Sequence, residues 1–166
     1  MTGISFQELQ RYTQEERRKW RAWLEKQPAA ALEVPMGEAG TDTATVRGIL
    51  WHIAIVELFY AEFISGRKEK TNYRELPHNT LEEIWRIGDS AHEQLARYLA
   101  GAGDADLGEV LKLERGSFRV EASRRKMLAH VLLHSLRHGA QLAMALRQHG
   151  YKTDWQHDFI FTDALA

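Results

Sequence analysis

Four long segments of the chain carry apolar residues at helical rather than alternating spacing, and stretches rich in glycine, proline or polar residues separate them. The predicted helices run from about Ser5 to Glu25, from Thr43 or Thr45 to Ser65, from Asn79 or Thr80 to Leu99, and from Ser123 to His149. Ser5 with Glu8, and Thr80 with Glu83, have the spacing of capping boxes. Four long helices joined by loops of mixed length predict an all-α fold, a four-helix bundle.

The segments between the helices carry weaker signals. Residues 101–108 include three glycines and predict a long turn. The stretch from Glu109 to Val120 has apolar residues on both sides of Gly116, which predicts a short extended hairpin or an ordered loop before the last helix. The tail from Trp155 to Leu165 contains the apolar run Phe159–Phe161, so we expect it to pack against the helices.

Composition narrows the functional class. The chain has 166 residues, with 22 Lys and Arg against 23 Asp and Glu. This length predicts a single domain over residues 1–166, and the near-neutral charge gives no general attraction to nucleic acid or to an anionic membrane. With no cysteine, any metal site must use histidine and carboxylate ligands. The sequence shows no signal peptide and no membrane-spanning apolar run, so we expect a cytoplasmic protein.

Three histidines, His130, His134 and His138, recur at every fourth position of the last predicted helix. Residues four apart lie on one helix face about 6 Å apart, so two such imidazoles can bind one divalent ion at ~2.1 Å. His130 and His138 lie about 12 Å apart along the axis and about 80° apart around it, so all three cannot easily share an ion. Spacing leaves open which adjacent pair is the chelate, and whether the pair is instead satisfied by hydrogen bonds.

A fourth histidine, His52, lies between Ile49 and Val56 on the apolar face of the second predicted helix. An imidazole in such a place needs a polar partner, and His52 is therefore the natural third ligand, the alternative being a core histidine. Three neutral histidines leave coordination positions open, which is typical of a catalytic metal site. The remaining histidines have no partner at a useful spacing and are expected on the surface: His78, His92, His149 and His157.

These motifs resemble those of the DinB family. The segment His130 to Gln141, HVLLHSLRHGAQ, and the following LRQHG ending at Gly150 are similar to the family's last helix, which reads HxxxHxxxHRGQ and then a Leu-Arg-Gln stretch ending in glycine. The segment Gly48 to Ile53, GILWHI, is similar to its second helix, which carries a single ligand histidine. The tail from Trp155 to Leu165 also resembles the family's C-termini.

The resemblance implies a metal ligand set of His52, His134 and His138, which leaves His130 one turn outside the site. One departure from the family pattern matters: the usual HRGQ is His138-Gly139-Ala140-Gln141 here, so Gly139 stands where the motif has its arginine. The three ligands are unaffected by that change, whereas any anion-binding role of the arginine would have to pass to another residue.

Three further residues are candidates to support the ligands, since ligating imidazoles commonly donate their second N–H to an oxygen acceptor. His130 is either such a supporting residue or an exposed one. Gln141, one turn after His138, is expected either to bind a metal-bound water or to serve packing. Glu57 lies about 140° around the helix from His52 and is expected to be solvated.

The resemblance implies a metal-dependent enzyme that uses Zn, Ni or Fe to activate a thiol or water nucleophile. Among characterised relatives this is thiol-dependent S-transferase or isomerase chemistry on small molecules, and homodimers are expected. The alternative is a non-catalytic protein of the same fold, a stress-related metal or ligand binder or a dimeric interaction module. The absent arginine favours this alternative unless Arg137 replaces it.

Overall fold

The computed structural model describes residues 3–37, 40–67 and 71–164. These residues contain five α-helices and one two-stranded antiparallel sheet: α1 Phe6–Leu24, α2 Val46–Ile64, α3 Leu81–Gly101, α4 Asp104–Gly108, β1 Val110–Arg115, β2 Phe118–Ser123 and α5 Arg124–Gln148. The mostly helical structure agrees with the predicted all-α class. No helix in these ranges combines the length and the apolar character needed to cross a lipid bilayer.

The long helices begin at side chains that satisfy free backbone N–H groups. Ser5 and Thr80 form both predicted capping boxes, and the side chain of Ser123 accepts a hydrogen bond at the start of α5. Of the two predicted starts for the second helix, Thr45 is the cap: its hydroxyl accepts from the N–H of Gly48 at 3.2 Å. This cap sets the position of every residue along α2.

The helix α2 lies at the centre of the packing, because it contacts both α3 and α5, while α1 contacts α3 and α5. Its buried residues are therefore distributed around the helix rather than along one stripe. The largest fully buried side chains come from α2, α3 and α5: Val46, Ile64, Ile84, Leu128, Val131, Leu142 and Leu146. The contact of α2 with α5 is the one that positions the candidate site.

The predicted hairpin is present and longer than expected. β1 pairs with β2 in an antiparallel register that places Leu113 opposite Val120, and Gly116 takes a positive φ of 59° in the turn. β2 continues to Ser123, which caps α5 directly. The preceding segment, predicted as a turn, contains the short helix α4, in which Asp106 accepts a hydrogen bond from the Tyr98 hydroxyl at 2.5 Å.

The C-terminal tail packs against α1 in part. The Trp155 ring meets the Trp20 ring edge-on at 5.1 Å, and the first residue of the run Phe159–Phe161 meets Tyr12 edge-on at 4.8 Å. The second and third residues of that run are 82% and 56% exposed, so the expectation that the whole run packs is wrong for them. Leu165, the end of the predicted tail, lies outside the described residues.

A cavity of about 220 Å³ lies between the long helices, and we call it the interior cavity. Its walls come from α1, α2, α3, α5 and the tail residues His157 and Asp158. Glu57 of α2 is one of its lining residues. Burial raises the pKa of Glu57 to about 7, and the Arg17 charge and the Ser135 hydroxyl offset only part of this effect. The expectation of a solvated Glu57 is therefore wrong, because the face of α2 away from His52 is also enclosed by other helices.

Gly48→Ala is expected to destabilise the protein by about 1–3 kcal/mol, although alanine is the better helix former. A Cβ at this position would lie 2.2 Å from the carbonyl oxygen of Asp42, so the backbone would have to move to accommodate it. Gly139→Ala in α5 is the matched control, since its Cβ would meet the Trp20 indole nitrogen at an ordinary 3.7 Å. Urea unfolding of both variants checks this. Equal or increased stability of Gly48→Ala would contradict the close approach.

Glu57→Gln is expected to change how stability depends on pH. The pKa of the Glu57 carboxyl is about 7 in the folded state, above its ordinary value of 4.5. Its contribution to stability is therefore fully present below pH 4.5 and is lost as the pH rises to 7. Over this pH range the free energy of unfolding of the wild type should fall by up to about 3 kcal/mol, and that of Glu57→Gln should not show this fall. Urea unfolding at pH 4.5 and 7.5 measures the difference, with the exposed Glu82→Gln as control. A constant difference between wild type and Glu57→Gln would refute it.

Candidate metal centre

The contact between α2 and α5 brings together three of the predicted histidines. Nε2 of His134 lies 3.2 Å from Nε2 of His52 and 3.1 Å from Nε2 of His138. One ring nitrogen from each residue lies within 4.8 Å of the other two. His134 and His138 are each 8% exposed, so the cluster is shielded from solvent on the α5 side.

These distances fit a shared cation. Two nitrogens bonded to one ion at ~2.1 Å lie about 3.0 Å apart at a right angle and about 3.4 Å apart at a tetrahedral angle. Hydrogen bonds alone do not account for the cluster, since a neutral imidazole carries one proton and Nε2 of His134 faces two other nitrogens. A divalent cation would accept all three lone pairs at once.

The electrostatic setting keeps the three imidazoles neutral at pH 7. Burial first, and then the neighbouring His138 and His52, lower the pKa of His134 to about 3. Burial also lowers the pKa of His52 and of His138, and the positive charge of Arg137 acts in the same direction on each of the three. Neutral imidazoles have the free lone pairs that metal binding requires.

Gln141 orients one of these rings. The Nδ1–H group of His138 donates a hydrogen bond to Oε1 of Gln141 at 2.6 Å. Because a neutral imidazole has one proton, this bond leaves Nε2 of His138 unprotonated and directed at the cluster. Nδ1 of His134 is buried and has no hydrogen-bond partner among the described residues.

His130 lies beside the cluster rather than in it. Its ring centre is 5.7 Å from that of His134 and 5.3 Å from that of Tyr60. Both histidines line a second cavity of about 270 Å³, which we call the histidine-side cavity. Its other walls are apolar and aromatic side chains from α2, the 71–76 segment and the hairpin: Ile55, Val56, Phe59, Tyr60, Tyr73, Leu113 and Phe118.

Sequence reasoning missed the walls outside α2, because Tyr73, Leu113 and Phe118 come from segments distant from α2 in the chain. Tyr73 is held over α2 by its hydroxyl, which donates a hydrogen bond to the buried carboxylate of Glu62. Leu113 and Phe118 reach the cavity because the hairpin folds back toward α2. No local spacing pattern carries that information.

Three of the four histidines expected on the surface are half-buried instead: His78, His92 and His157. His157 donates a hydrogen bond from Nδ1 to the buried Glu16 carboxylate at 2.9 Å and stacks on Trp20. His92 lies against α1, where burial lowers its pKa to about 4 and its backbone carbonyl accepts from Gln10. The His78 ring stacks on Trp51 of α2 at 4.5 Å. For these three the prediction is wrong, because α1 and α2 supply partners that are distant in sequence.

Comparison with known proteins places this site in a family. The comparison with curated proteins finds no match. The model of the family described as DinB family matches residues 2–163, nearly the whole chain. That span contains the three clustered histidines together with every described helix and strand. The chain therefore belongs to the DinB family.

Proposed function

We propose that this protein is a metal-dependent enzyme in which His52, His134 and His138 hold a divalent cation. The observation that carries the proposal is the convergence of three Nε2 atoms at separations of 3.1 and 3.2 Å. Zn, Ni and Fe all suit an imidazole ligand set. Three protein ligands leave positions for substrate, which is the arrangement of catalytic rather than structural sites.

The bound ion would lower the pKa of a thiol or water, and so supply a strong nucleophile at neutral pH. The residues of the chain contribute orientation and exclusion of water. Gln141 keeps the His138 ring in the tautomer that presents Nε2. The aromatic walls of the histidine-side cavity would bind the apolar part of a small substrate next to His134.

The charge near the cluster favours an anionic nucleophile such as a thiolate. Arg137 lies three residues after His134 on α5, and its positive charge lowers the pKa of all three histidines. We infer that Arg137 takes the place of the arginine that the family pattern has at position 139. A small-molecule thiol S-transferase is the activity that this combination supports best.

The same proposal includes the architecture around the site. We infer that α1, α2, α3 and α5 form a four-helix bundle and that the chain is one domain, since α2 contacts both α3 and α5 and α1 contacts the same two helices. We also propose a homodimer. Leu133 and Met144 support it, because they are 56% and 51% exposed and lie about three turns apart on one face of α5.

The wild type, purified without chelator and offered Zn²⁺, Ni²⁺ or Fe²⁺, is expected to bind one ion per chain and then to consume a small thiol in the presence of an electrophile. His134→Ala removes the nitrogen shared by both short contacts and should lower metal affinity by at least about 100-fold. Elemental analysis, calorimetric metal titration and a thiol-consumption assay measure these effects.

His149→Ala is the matched control for His134→Ala. Its imidazole is exposed at the end of α5 and bonds only to the carbonyl of Ala145 in the described structure, so metal content and activity should not change. A wild type that binds none of the three ions contradicts the metal site. A wild type that binds metal but turns over none of a broad panel of small thiols contradicts the enzyme proposal and favours a non-catalytic metal binder.

Gln141→Ala is expected to weaken metal binding by about 10- to 100-fold without unfolding the protein, because it frees the His138 ring to rotate and change tautomer. Gln148→Ala, an exposed change at the end of α5, should leave affinity unchanged. Calorimetric metal titration with a parallel thermal unfolding curve distinguishes the two effects. Unchanged affinity in Gln141→Ala would show that this hydrogen bond has no positioning role.

A further inference from the structure

The interior cavity and the histidine-side cavity are separate spaces. None of the three clustered histidines lines the interior cavity, whereas Glu57 and Ser135 do. Glu57 lies about 140° around α2 from His52, and Ser135 lies about 100° around α5 from His134, so both face away from the cluster. The interior cavity is thus a second site with walls of its own.

Its size suits a single-ring organic molecule. A cavity of about 150 Å³ lined by apolar side chains binds benzene in another protein, and the interior cavity has about 220 Å³. Three aromatic side chains, Tyr12, Trp20 and Trp85, are among its walls. The aliphatic walls include Leu50, Ile84 and Leu142.

Glu57 lines this cavity and has no ion pair among the described residues. No cationic group lies within 4.0 Å of it among the described residues. Two other carboxylates line the cavity. The buried carboxylate of Glu16 bonds to His157 at 2.9 Å and to Lys19 at 3.4 Å, and that of Asp158 is exposed to solvent. A buried carboxylate without a counter-ion attracts a cation strongly.

Arg17, the nearest cation, is held elsewhere. One of its terminal nitrogens, Nη2, donates to Asp89 at 2.8 Å, and its Nε–H donates to Gln14 at 3.1 Å. Its Nη1 is buried against α3, where a Cβ on Gly88 would lie only 2.5 Å from it. Arg17 lines the cavity but forms no ion pair with Glu57 among the described residues. Its Nη1 has no hydrogen-bond partner among the described residues, and because this atom is buried an anionic ligand does not reach it.

We propose that the interior cavity binds a small organic amine whose ammonium group pairs with Glu57 and whose apolar body packs against Trp20 and Trp85. The ammonium supplies the counter-ion that the chain does not, and the indole faces favour a nearby cation. The Glu57 carboxylate, which has no counter-ion among the described residues, would repel an anionic ligand. A neutral ligand would exclude water from this carboxylate without pairing with it. This site is independent of the metal-dependent activity proposed above.

The test uses the whole metal-free chain at pH 8 and three probes of matched shape: 2-phenylethylamine, neutral ethylbenzene and anionic 3-phenylpropionate. Calorimetry should show that the amine binds at least about 10-fold more tightly than ethylbenzene. It should show no binding of 3-phenylpropionate. Glu57→Gln should remove the preference for the amine and leave ethylbenzene unaffected, whereas the exposed Glu82→Gln should change neither affinity.

Methyl NMR of the wild type locates the bound amine without any variant. The methyl signals of Ile84 and Leu142, which line the cavity, should shift on titration, while those of Ile64 and Leu128, which do not line it, should stay in place. Equal binding of amine and ethylbenzene, tighter binding of 3-phenylpropionate, absence of binding, or shifts confined to distant methyls would each overturn the proposal.

Discussion

The packing of α2 against α5 is the contact on which the candidate site depends. It joins one imidazole from α2 to two from consecutive turns of α5, with nitrogen separations of 3.1 and 3.2 Å. A shift of one residue in the start of α2 would rotate His52 by about 100° and break the cluster. The Thr45 cap and the absence of a side chain at Gly48 together hold that start in place.

The sequence predicted what depends on local spacing. Helical periodicity and caps located the four long helices, and the four-residue repeat placed His134 and His138 on one face of α5. Spacing alone left the chelating pair open, and only the family resemblance selected it. The walls of the histidine-side cavity outside α2 could not be predicted, since the hairpin and the Tyr73 segment meet α2 through contacts between residues distant in the chain.

Glu57 shows why helix geometry alone misled the sequence interpretation. An angle of about 140° from His52 was taken to mean exposure to solvent, which holds for a helix packed on one side only. Because α2 is enclosed by α3 and α5 as well as facing α1 across the interior cavity, it has no broad solvent face. The same enclosure lets one helix serve two chemically different spaces, one rich in imidazole and one acidic.

The hairpin is covalently continuous with α5, since Ser123 ends β2 and caps the helix that carries the histidines. The hairpin contributes to the histidine-side cavity only through Leu113 and Phe118, near its turn, and supplies none of the clustered nitrogens. A change in the length or sequence of this turn would therefore reshape one wall of the histidine-side cavity without displacing the imidazoles that α2 and α5 hold together.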